Sequence, residues 1–353
     1  MKKKLLALLA VLSLALLLAA CGGSGDNESS SSDEGSSDAD SSSGESVTLL
    51  ANAVYPEANH TTGALIEFAE KVNEATDGQV EIDVMAGGAL GYEGPELLSA
   101  VRDNAVPISD ILTSGVAGDE KLFELVTLPF LIQDYDEAKI LNEVARPYFD
   151  KVAEEKWNQK ILYVIPWPFA GFWTQDPVES VADMDGLKMR TYDTNGALVV
   201  EAGGGTPHPL PFSEVYSGLS TGIIDSVLTS SPTAVDASFW EVLNYHSPVN
   251  VTMATSFASI NLDEFNKLDE AAQEAIIQAG KEIEEKLWEE VPQLDQDQIS
   301  ISEENGIEVL EVSDEFMQEL TELTEDIRND WLENSAPPEA KEIVEKFYEE
   351  VGR

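Results

Sequence analysis

At 353 residues and 43% hydrophobic, the chain has enough apolar material for one large or two medium domains with cores, which excludes disorder as the state of most of it. It sets 67 Asp and Glu against 20 Lys and Arg, a net charge of −47, which makes nucleic acid and anionic lipid surfaces poor partners. One cysteine allows neither a disulfide framework nor a cysteine metal site.

In chain order, Lys2, Lys3 and Lys4 precede an uncharged apolar run from Leu5 to Leu18 that closes on Ala19, Ala20 and Cys21. Basic, apolar and small-residue regions in that order predict a secretory signal peptide over residues 1–20. The run is short for a membrane span of ~20 residues. "LAAC" resembles the lipobox of bacterial lipoproteins, which implies that Cys21 becomes the lipid-bearing first residue after cleavage. Residues 21–46 are mostly Ser, Gly, Asp and Glu, so they are expected to form a flexible, self-repelling tether, with the fold beginning at Val47. The acidic surplus is similar to that of proteins adapted to high salt, where screening suppresses self-repulsion.

From there strands and helices alternate. "VTLLANAVY" predicts a strand, the stretch from Thr62 to Thr76 has Leu65, Phe68, Ala69 and Val72 at helical spacing, and "QVEIDVM" predicts a second strand, a βαβ opening. A helix over Pro95 to Arg102, a strand over Pro107 to Leu112 and helices between Asp134 and Trp157 follow. Next come the strand "KILYVIPW", a strand carrying Arg190, a helix from Asn195 to Ala202, "TPHPL", a helix from Ser213 to Leu219, and "IIDSVL". This alternation predicts mostly parallel sheets flanked by helices, and the length predicts two such lobes. "VNVTMATSFASINL" reads as one long strand able to cross between lobes as a hinge. The helix after it, from Asp269 to about Glu290, is expected to be kinked or ended by Pro292. The remaining C-terminal stretch reads as acidic amphipathic helix broken at Gly306 and at Pro337-Pro338.

Three motifs invite chemistry. "GLSTG", Gly218 to Gly222, matches the nucleophile elbow G-x-S-x-G and would make Ser220 an esterase nucleophile. The elbow needs a strand before the serine, whereas Phe212, Val215, Tyr216 and Leu219 trace a helical face into the motif, so Ser220 is placed at a helix end closed by Gly222. Gly203 to Gly205 stand in the order helix, glycines, strand, the reverse of a phosphate loop, and read as a helix C-cap and turn. His60, His208 and His246 have no ligand spacing to one another or to paired carboxylates, so neither a metal nor a cofactor is expected.

"DGLKMRTYD", residues 185–193, sets Arg190 in an apolar, strand-like run between Met189 and Thr191. A buried guanidinium is costly unless paired. One reading is a structural salt bridge to one of the many acids. The other is a strand end facing a cleft, where the guanidinium fork takes a carboxylate through two parallel hydrogen bonds.

The surrounding stretch "DMDGLKMRTYDTNGALVVEAGGGTPHPLPFSEVYSGLSTGIIDS", Asp183 to Ser226, resembles the signature region of the solute receptors of tripartite ATP-independent periplasmic (TRAP) transporters, the DctP-like family. "GLKMR" and "LPFSEVY" carry the resemblance. It extends more weakly through "GPELLSAVRDNAVPISDI", "LPFLI" and "WPFAGFWTQDPVES" to nearly all of Val47 to Arg353. The resemblance implies an α/β, two-lobed fold like that of periplasmic binding proteins, with hinge strands and a long connecting helix. Lobe I is placed at residues 47–170 plus 254–300 and lobe II at 171–253 plus 301–353.

The same resemblance makes Arg190 the clamp for a substrate carboxylate and places Asn52 and the segment Asp110 to Thr113 at the pocket edge. Thr229 and Ser230 stand where many members have an asparagine, so a hydroxyl contact is expected there. Some members carry a second arginine in the stretch matching Phe169 to Trp173, and this chain has none. A more aromatic pocket is therefore expected, with Trp167, Phe169, Phe172, Trp173 and Tyr192 available and at least half of these rings committed to the core. The expected ligand set is Arg190, Asn52, Thr113, Phe172, Trp173, Tyr192, Phe212, Thr229 and Ser230.

These expectations describe an extracytoplasmic, monomeric lipoprotein that performs no chemistry. It captures a small organic or keto acid between its lobes and delivers it to TRAP membrane subunits. An alternative ligand is an ectoine-type zwitterion with its cationic ring against aromatics. The rival functions are a secreted hydrolase built on Ser220 and a sensory binding module.

Overall fold

The computed structural model describes residues 46–353, so the expected signal peptide, Cys21 and the tether through residue 45 lie outside the described residues. The βαβ opening consists of β1 (Val47–Asn52), α1 (His60–Ala75) and β2 (Val80–Met85), with the two strands parallel. The Asn59 side chain caps α1 by accepting the Thr61 N–H, and Leu65, Phe68, Ala69 and Val72 form its buried face. α2 (Leu97–Arg102) and β3 (Ile108–Leu112) follow, then 3-10 segments at Ser114–Val116 and Lys121–Thr127, α3 (Tyr135–Trp157) and β4 (Gln159–Pro166).

The chain continues with β5 (Ala170–Thr174), β6 (Lys188–Thr191), α4 (Thr194–Ala202), β7 (Thr206–Pro209), α5 (Phe212–Thr221), β8 (Ser226–Thr229), α6 (Ser231–Asp236) and β9 (Tyr245–Thr252). It closes with β10 (Thr255–Asn261), α7 (Leu262–Lys267), α8 (Glu270–Glu304), β11 (Glu308–Val309), α9 (Asp314–Asp330) and α10 (Pro338–Val351).

Two sheets result, one per lobe. The first has the order β2-β1-β3-β10-β4 and the second β11-β9-β5-β8-β6-β7. Both are mixed, where mostly parallel sheets were expected. β10 runs antiparallel to β3 and β4, and β5 runs antiparallel to β8 and β9. The antiparallel pairs arise because the chain leaves the first sheet on β4, returns on β10, and must reverse direction between the two passages.

The run expected as one long hinge strand is divided. β9 belongs to the second sheet and β10 to the first, and the crossing itself is Met253-Ala254. Beside it the outward crossing is Trp167-Pro168-Phe169, between β4 and β5. The Trp167 N–H donates to the Ala254 carbonyl at 2.9 Å and ties the crossings together.

Helix α8 packs against α1 and β4 of the first lobe and against α6 of the second. Pro292 lies inside it, where a kink or stop near Glu290 was expected, and the helix runs on to Glu304. The hydrogen bond lost at a helix-interior proline costs about 3 kcal/mol, and tertiary anchors on both sides offset it. Trp288 and Val291 are buried before the proline, and Asp295 after it accepts from Ser231 Oγ at 2.6 Å and from Tyr135 OH at 3.0 Å.

Gly280 seats α8 on β4, because a Cβ at that position would stand 2.4 Å from the Leu162 carbonyl oxygen. Gly280→Ala is therefore expected to cost about 2 kcal/mol through overpacking, read as a lower melting temperature. An unchanged melting temperature would mean that the helix can slide off this contact at no cost.

The end of the chain divides between the lobes. Phe316 and Leu320 of α9 join the second-lobe core, while Ile343, Val344 and Phe347 of α10 pack into the first-lobe core with Phe123, Phe149 and Phe257. Residues 338–351, placed with the second lobe on sequence grounds, thus cover the first. The amphipathic face was legible in the sequence, but nothing local says which core receives it. No helix of the described residues is long and apolar enough to cross a membrane.

Candidate functional site

Parallel strands β6 and β8 both end at the cleft between the lobes, the position where side chains beyond carboxyl ends of strands converge on ligands. Alternation along β6 sends Met189 into the second-lobe core and leaves Arg190 to the cleft. Asp193 then caps α4, accepting the Gly196 N–H at 2.7 Å, so the chain turns away directly after Tyr192.

Arg190 borders a narrow cavity between the lobes. Tyr55 and Leu112 line it from the first lobe, and Trp167, Pro168 and Ala254 from the crossings. The second lobe adds Tyr192, Phe212 and the hydroxyl-bearing Thr229, Ser230 and Thr233. A wider cleft adjoins it, sharing Tyr55, Arg190 and Phe212 and bordered by Glu93 and Glu96. Across that cleft Ser213 Oγ donates to Glu93 Oε2 at 2.6 Å.

Rings build the walls. The Tyr55 ring lies 4.8 Å from Trp167 and 5.3 Å from Phe212, centroid to centroid. Trp167 is held by its Nε1–H donating to Ser256 Oγ at 3.0 Å and by an edge contact to His60 at 4.6 Å. Tyr55 is fixed through its carbonyl, which accepts from the Gly87 N–H and the Thr62 hydroxyl. Tyr192 OH and Thr252 Oγ1 share a hydrogen bond of 2.8 Å.

Arg190 is 5% exposed. Its Nε–H donates to the Leu210 carbonyl at 3.0 Å and its guanidinium lies 5.9 Å from the Tyr192 ring centre. Among the described residues no carboxylate lies within ion-pair distance of it, so the structural salt bridge weighed from sequence is not made. Burial pushes its pKa down to about 10, with Tyr55, Tyr192 and Asp193 pulling the other way, and the group stays charged at neutral pH. A buried cation with one backbone acceptor and a cavity in front of it has the chemistry to accept a carboxylate through its remaining N–H groups.

Behind this wall, Asp110 is 2% exposed and neither of its oxygens has a hydrogen-bond partner among the described residues. The Thr61 and Ser256 hydroxyls and the Ile111 N–H lie near enough to offset part of its desolvation without a bond of normal geometry. Burial dominates and raises its pKa to about 7.

Of the expected ligand set, Arg190, Tyr192, Phe212, Thr229 and Ser230 line the cavity, and Asn52, Thr113, Phe172 and Trp173 do not. Asn52 is fully buried and donates to the Tyr92 carbonyl and Ser109 Oγ. Thr113 spends its hydroxyl on the Thr255 carbonyl at 2.7 Å. Phe172 and Trp173 are neighbours on β5, a strand flanked on both sides, so they point to opposite faces and fill two separate cores. Phe169 also lies in a core.

Tyr55, Leu112, Pro168, Thr233 and Ala254 were missed. Leu112 lies within the flagged segment Asp110 to Thr113, one residue from the one selected. Tyr55 closes the run "VTLLANAVY" expected as strand, but β1 ends at Asn52 and Tyr55 falls three residues beyond it, in a loop. Ser220 is exposed in the last turn of α5, and Gly222 follows in a left-handed conformation with φ 73°, so the strand that an elbow requires is not there.

Comparison with known proteins bears on the family and the fold. The family model of the bacterial extracellular solute-binding proteins, family 7 (DctP), matches residues 51–334. A solute-binding protein of Chromohalobacter salexigens is 27% identical over 271 residues, covering 74% of this chain and 78% of that protein. The crystal structure of a Bordetella pertussis extracytoplasmic solute receptor binding pyroglutamic acid superposes with a TM-score of 0.82 at 27% identity, covering 86% of this chain and 99% of that one. A marine metagenome TRAP solute-binding protein specific for pyroglutamate gives the same TM-score, 0.82, at 26% identity, again covering 86% and 99%. Two sheets joined by paired crossings, with an unpaired guanidinium between them, is how this chain realises its kind: it belongs to the family 7 extracellular solute-binding proteins, the DctP-like solute receptors of TRAP transporters, and is not an enzyme.

Proposed function

We propose that the solute is a small, ring-bearing monocarboxylate of about the size and polarity of pyroglutamate, held by its carboxylate on Arg190. The observation that carries this reading is the buried guanidinium without a carboxylate partner among the described residues, facing a narrow, ring-walled cavity. Opposite it stand aromatic and aliphatic walls, the hydroxyls of Thr229, Ser230 and Thr233, and the phenols of Tyr55 and Tyr192, the last already bonded to Thr252. A sugar acid would bury several hydroxyls against Tyr55, Trp167 and Phe212, and each buried without a partner costs about 1–3 kcal/mol. A flat ring stacks on those surfaces instead, and its carbonyl or N–H is served by the Thr229, Ser230 and Thr233 hydroxyls.

An ectoine-type zwitterion gains cation–π contact with the same rings. The one charged residue lining the cavity is itself a cation, Arg190, which disfavours a second positive group nearby. The mechanism follows from the hinges. Solute bound to Arg190 on the second lobe and Tyr55 on the first stabilises the closed arrangement, which the membrane subunits of the transporter then receive. Lipid attachment at Cys21 and a monomeric state complete the proposal.

Trp167 in the cavity wall makes intrinsic fluorescence the natural readout. Titration with pyroglutamate, glucuronate, gulonate, pyruvate and ectoine is expected to give saturable change with pyroglutamate at the lowest concentration. Tighter binding of a sugar acid or of ectoine would overturn the assignment of solute class.

A further inference from the structure

Asn59 and Asp236 meet across the lobe boundary. Asn59 precedes α1 of the first lobe, Asp236 ends α6 of the second, and Asn59 Nδ2 donates to Asp236 Oδ2 at 2.5 Å. Asn59 is 2% exposed, and its other bonds fix which way its amide points. The oxygen accepts the Thr61 N–H at 2.9 Å and the Thr61 hydroxyl at 3.0 Å. A backbone N–H can only donate, so the amide nitrogen is left to the opposite lobe. One side chain thus caps its own helix and holds the other lobe.

Asp236 has no ion-pair partner among the described residues, and Asn59 supplies the one side-chain hydrogen bond made to it there. Burial raises its carboxyl to about 6 while the Asn59 bond opposes the rise, which leaves it ionised at neutral pH. A hydrogen bond to a charged, half-buried acceptor is stronger than a neutral one, and leaving that acceptor unpaired is costly.

Its position makes this bond part of the rim of the solute site. Asp236 lies one helical turn beyond Thr233, which lines the cavity, and Asn59 lies four residues beyond Tyr55, which lines it from the first lobe. The Tyr55 phenol is pushed up by burial first, then by the Asp110 charge and less by that of Asp236, so Asp236 is within electrostatic reach of the wall. At the other end of α6, Ser231 Oγ donates at 2.6 Å to Asp295 of α8, the helix that packs against both lobes. The bond from Ser213 to Glu93 also crosses between the lobes, but it is exposed and water competes for both partners.

We propose that Asn59 and Asp236 form a clasp that holds the lobes closed over bound solute and sets how long the solute is retained, without touching it. The Ser231 end of α6 stays with α8 when the lobes part, and the Asp236 end is the one that opening must release. The clasp rests on closure around solute and not on which solute is bound.

The test is the dissociation rate, followed by Trp167 fluorescence in rapid mixing, of whichever solute of the fluorescence panel wild type binds most tightly, pyroglutamate on the present reading. Asn59→Asp is isosteric and keeps the oxygen that caps α1, but it sets a carboxylate against Asp236. It should speed dissociation roughly tenfold or more and leave association little changed. Asp236→Asn alone keeps an acceptor for the Asn59 amide and should have a smaller effect. Combining the two exchanges donor and acceptor across the boundary and should restore slow dissociation, a recovery that independent structural damage does not give. Unchanged dissociation in Asn59→Asp, or a double variant that releases solute as fast as it does, would overturn the proposal. If wild type binds no solute of the panel, the solute assignment has failed, and small-angle scattering of the solute-free chain decides the clasp instead. There Asn59→Asp should give a wider particle than wild type and the double variant should not, and equal dimensions in all three would overturn it.

Discussion

Arg190→Ala is expected to weaken solute binding about 100- to 1,000-fold, because truncating one partner of a buried, hydrogen-bonded charge pair costs about 3–4 kcal/mol. The same change should leave the melting temperature of the solute-free protein unaltered or slightly raised. In that state the guanidinium is 5% exposed, makes a single bond to the Leu210 carbonyl and has no carboxylate among the described residues. Its desolvation is not recovered within the fold. Arg190→Lys keeps the charge but loses the planar fork, so its binding should fall between wild type and alanine. Calorimetric titration together with melting curves checks both halves. Undiminished binding by the alanine variant would mean that the solute is anchored elsewhere, and a large loss of solute-free stability would make Arg190 a structural residue.

Asp110→Asn is expected to stabilise the protein at pH 8 and to make no difference near pH 4. Burial raises the Asp110 carboxyl from 3.8 to about 7, a difference of about 3 units. An acid raised in the folded state does no harm below its unfolded pKa, where both states are protonated. As pH climbs from about 4 toward 7 the unfolded chain loses this proton and the folded chain does not, so stability falls, and above about 7 the whole loss is in place. Three units correspond to about 4 kcal/mol at most. Asparagine never ionises and escapes it. The groups facing Asp110 are the hydroxyls of Tyr55, Thr61, Tyr163 and Ser256 and the Ile111 N–H, and no cation is among the causes of its shift. Burial also raises Asp193 and Asp236, each to about 6, so wild type and variant will both lose stability on going from pH 5 to 8. The difference between their curves isolates Asp110, and parallel curves from pH 4 to 8 would show that its proton does not contribute.

How much of this was legible in the sequence depends on the kind of feature. The βαβ opening was read correctly because Leu65, Phe68, Ala69 and Val72 repeat at helical spacing between two β-rich runs, a pattern that burial against one sheet demands. Ser220 was read as a helix end for the same reason. Pro292 misled because a local rule about proline was applied where tertiary anchors on both sides of it hold the helix together. The hinge run misled in the opposite sense. Its composition is β-rich throughout, and only pairing with two different sheets divides it at Met253-Ala254.

The site divides along similar lines. Arg190 stood out as a cation amid apolar residues in an acidic chain, a contrast visible without coordinates. Phe172 and Trp173 looked like pocket rings because composition cannot tell a strand with one free face from a strand covered on both. Tyr55 was hidden at the end of a run expected as strand, and its place in the wall is set by the Gly87 N–H and Thr62 hydroxyl that hold its carbonyl.

What the amino-acid order determined by itself was therefore local and periodic: the succession of strands and helices, their caps and glycine stops, the charge, and the oddity of Arg190. The tertiary structure alone decided which sheet each half of the hinge run joins, that α10 covers the first lobe and which rings line the cavity. The physical reason is that periodicity records only whether a residue is buried, while the identity of its neighbours depends on chain reversals and packing between segments a hundred or more residues apart, as when Thr113 meets Thr255.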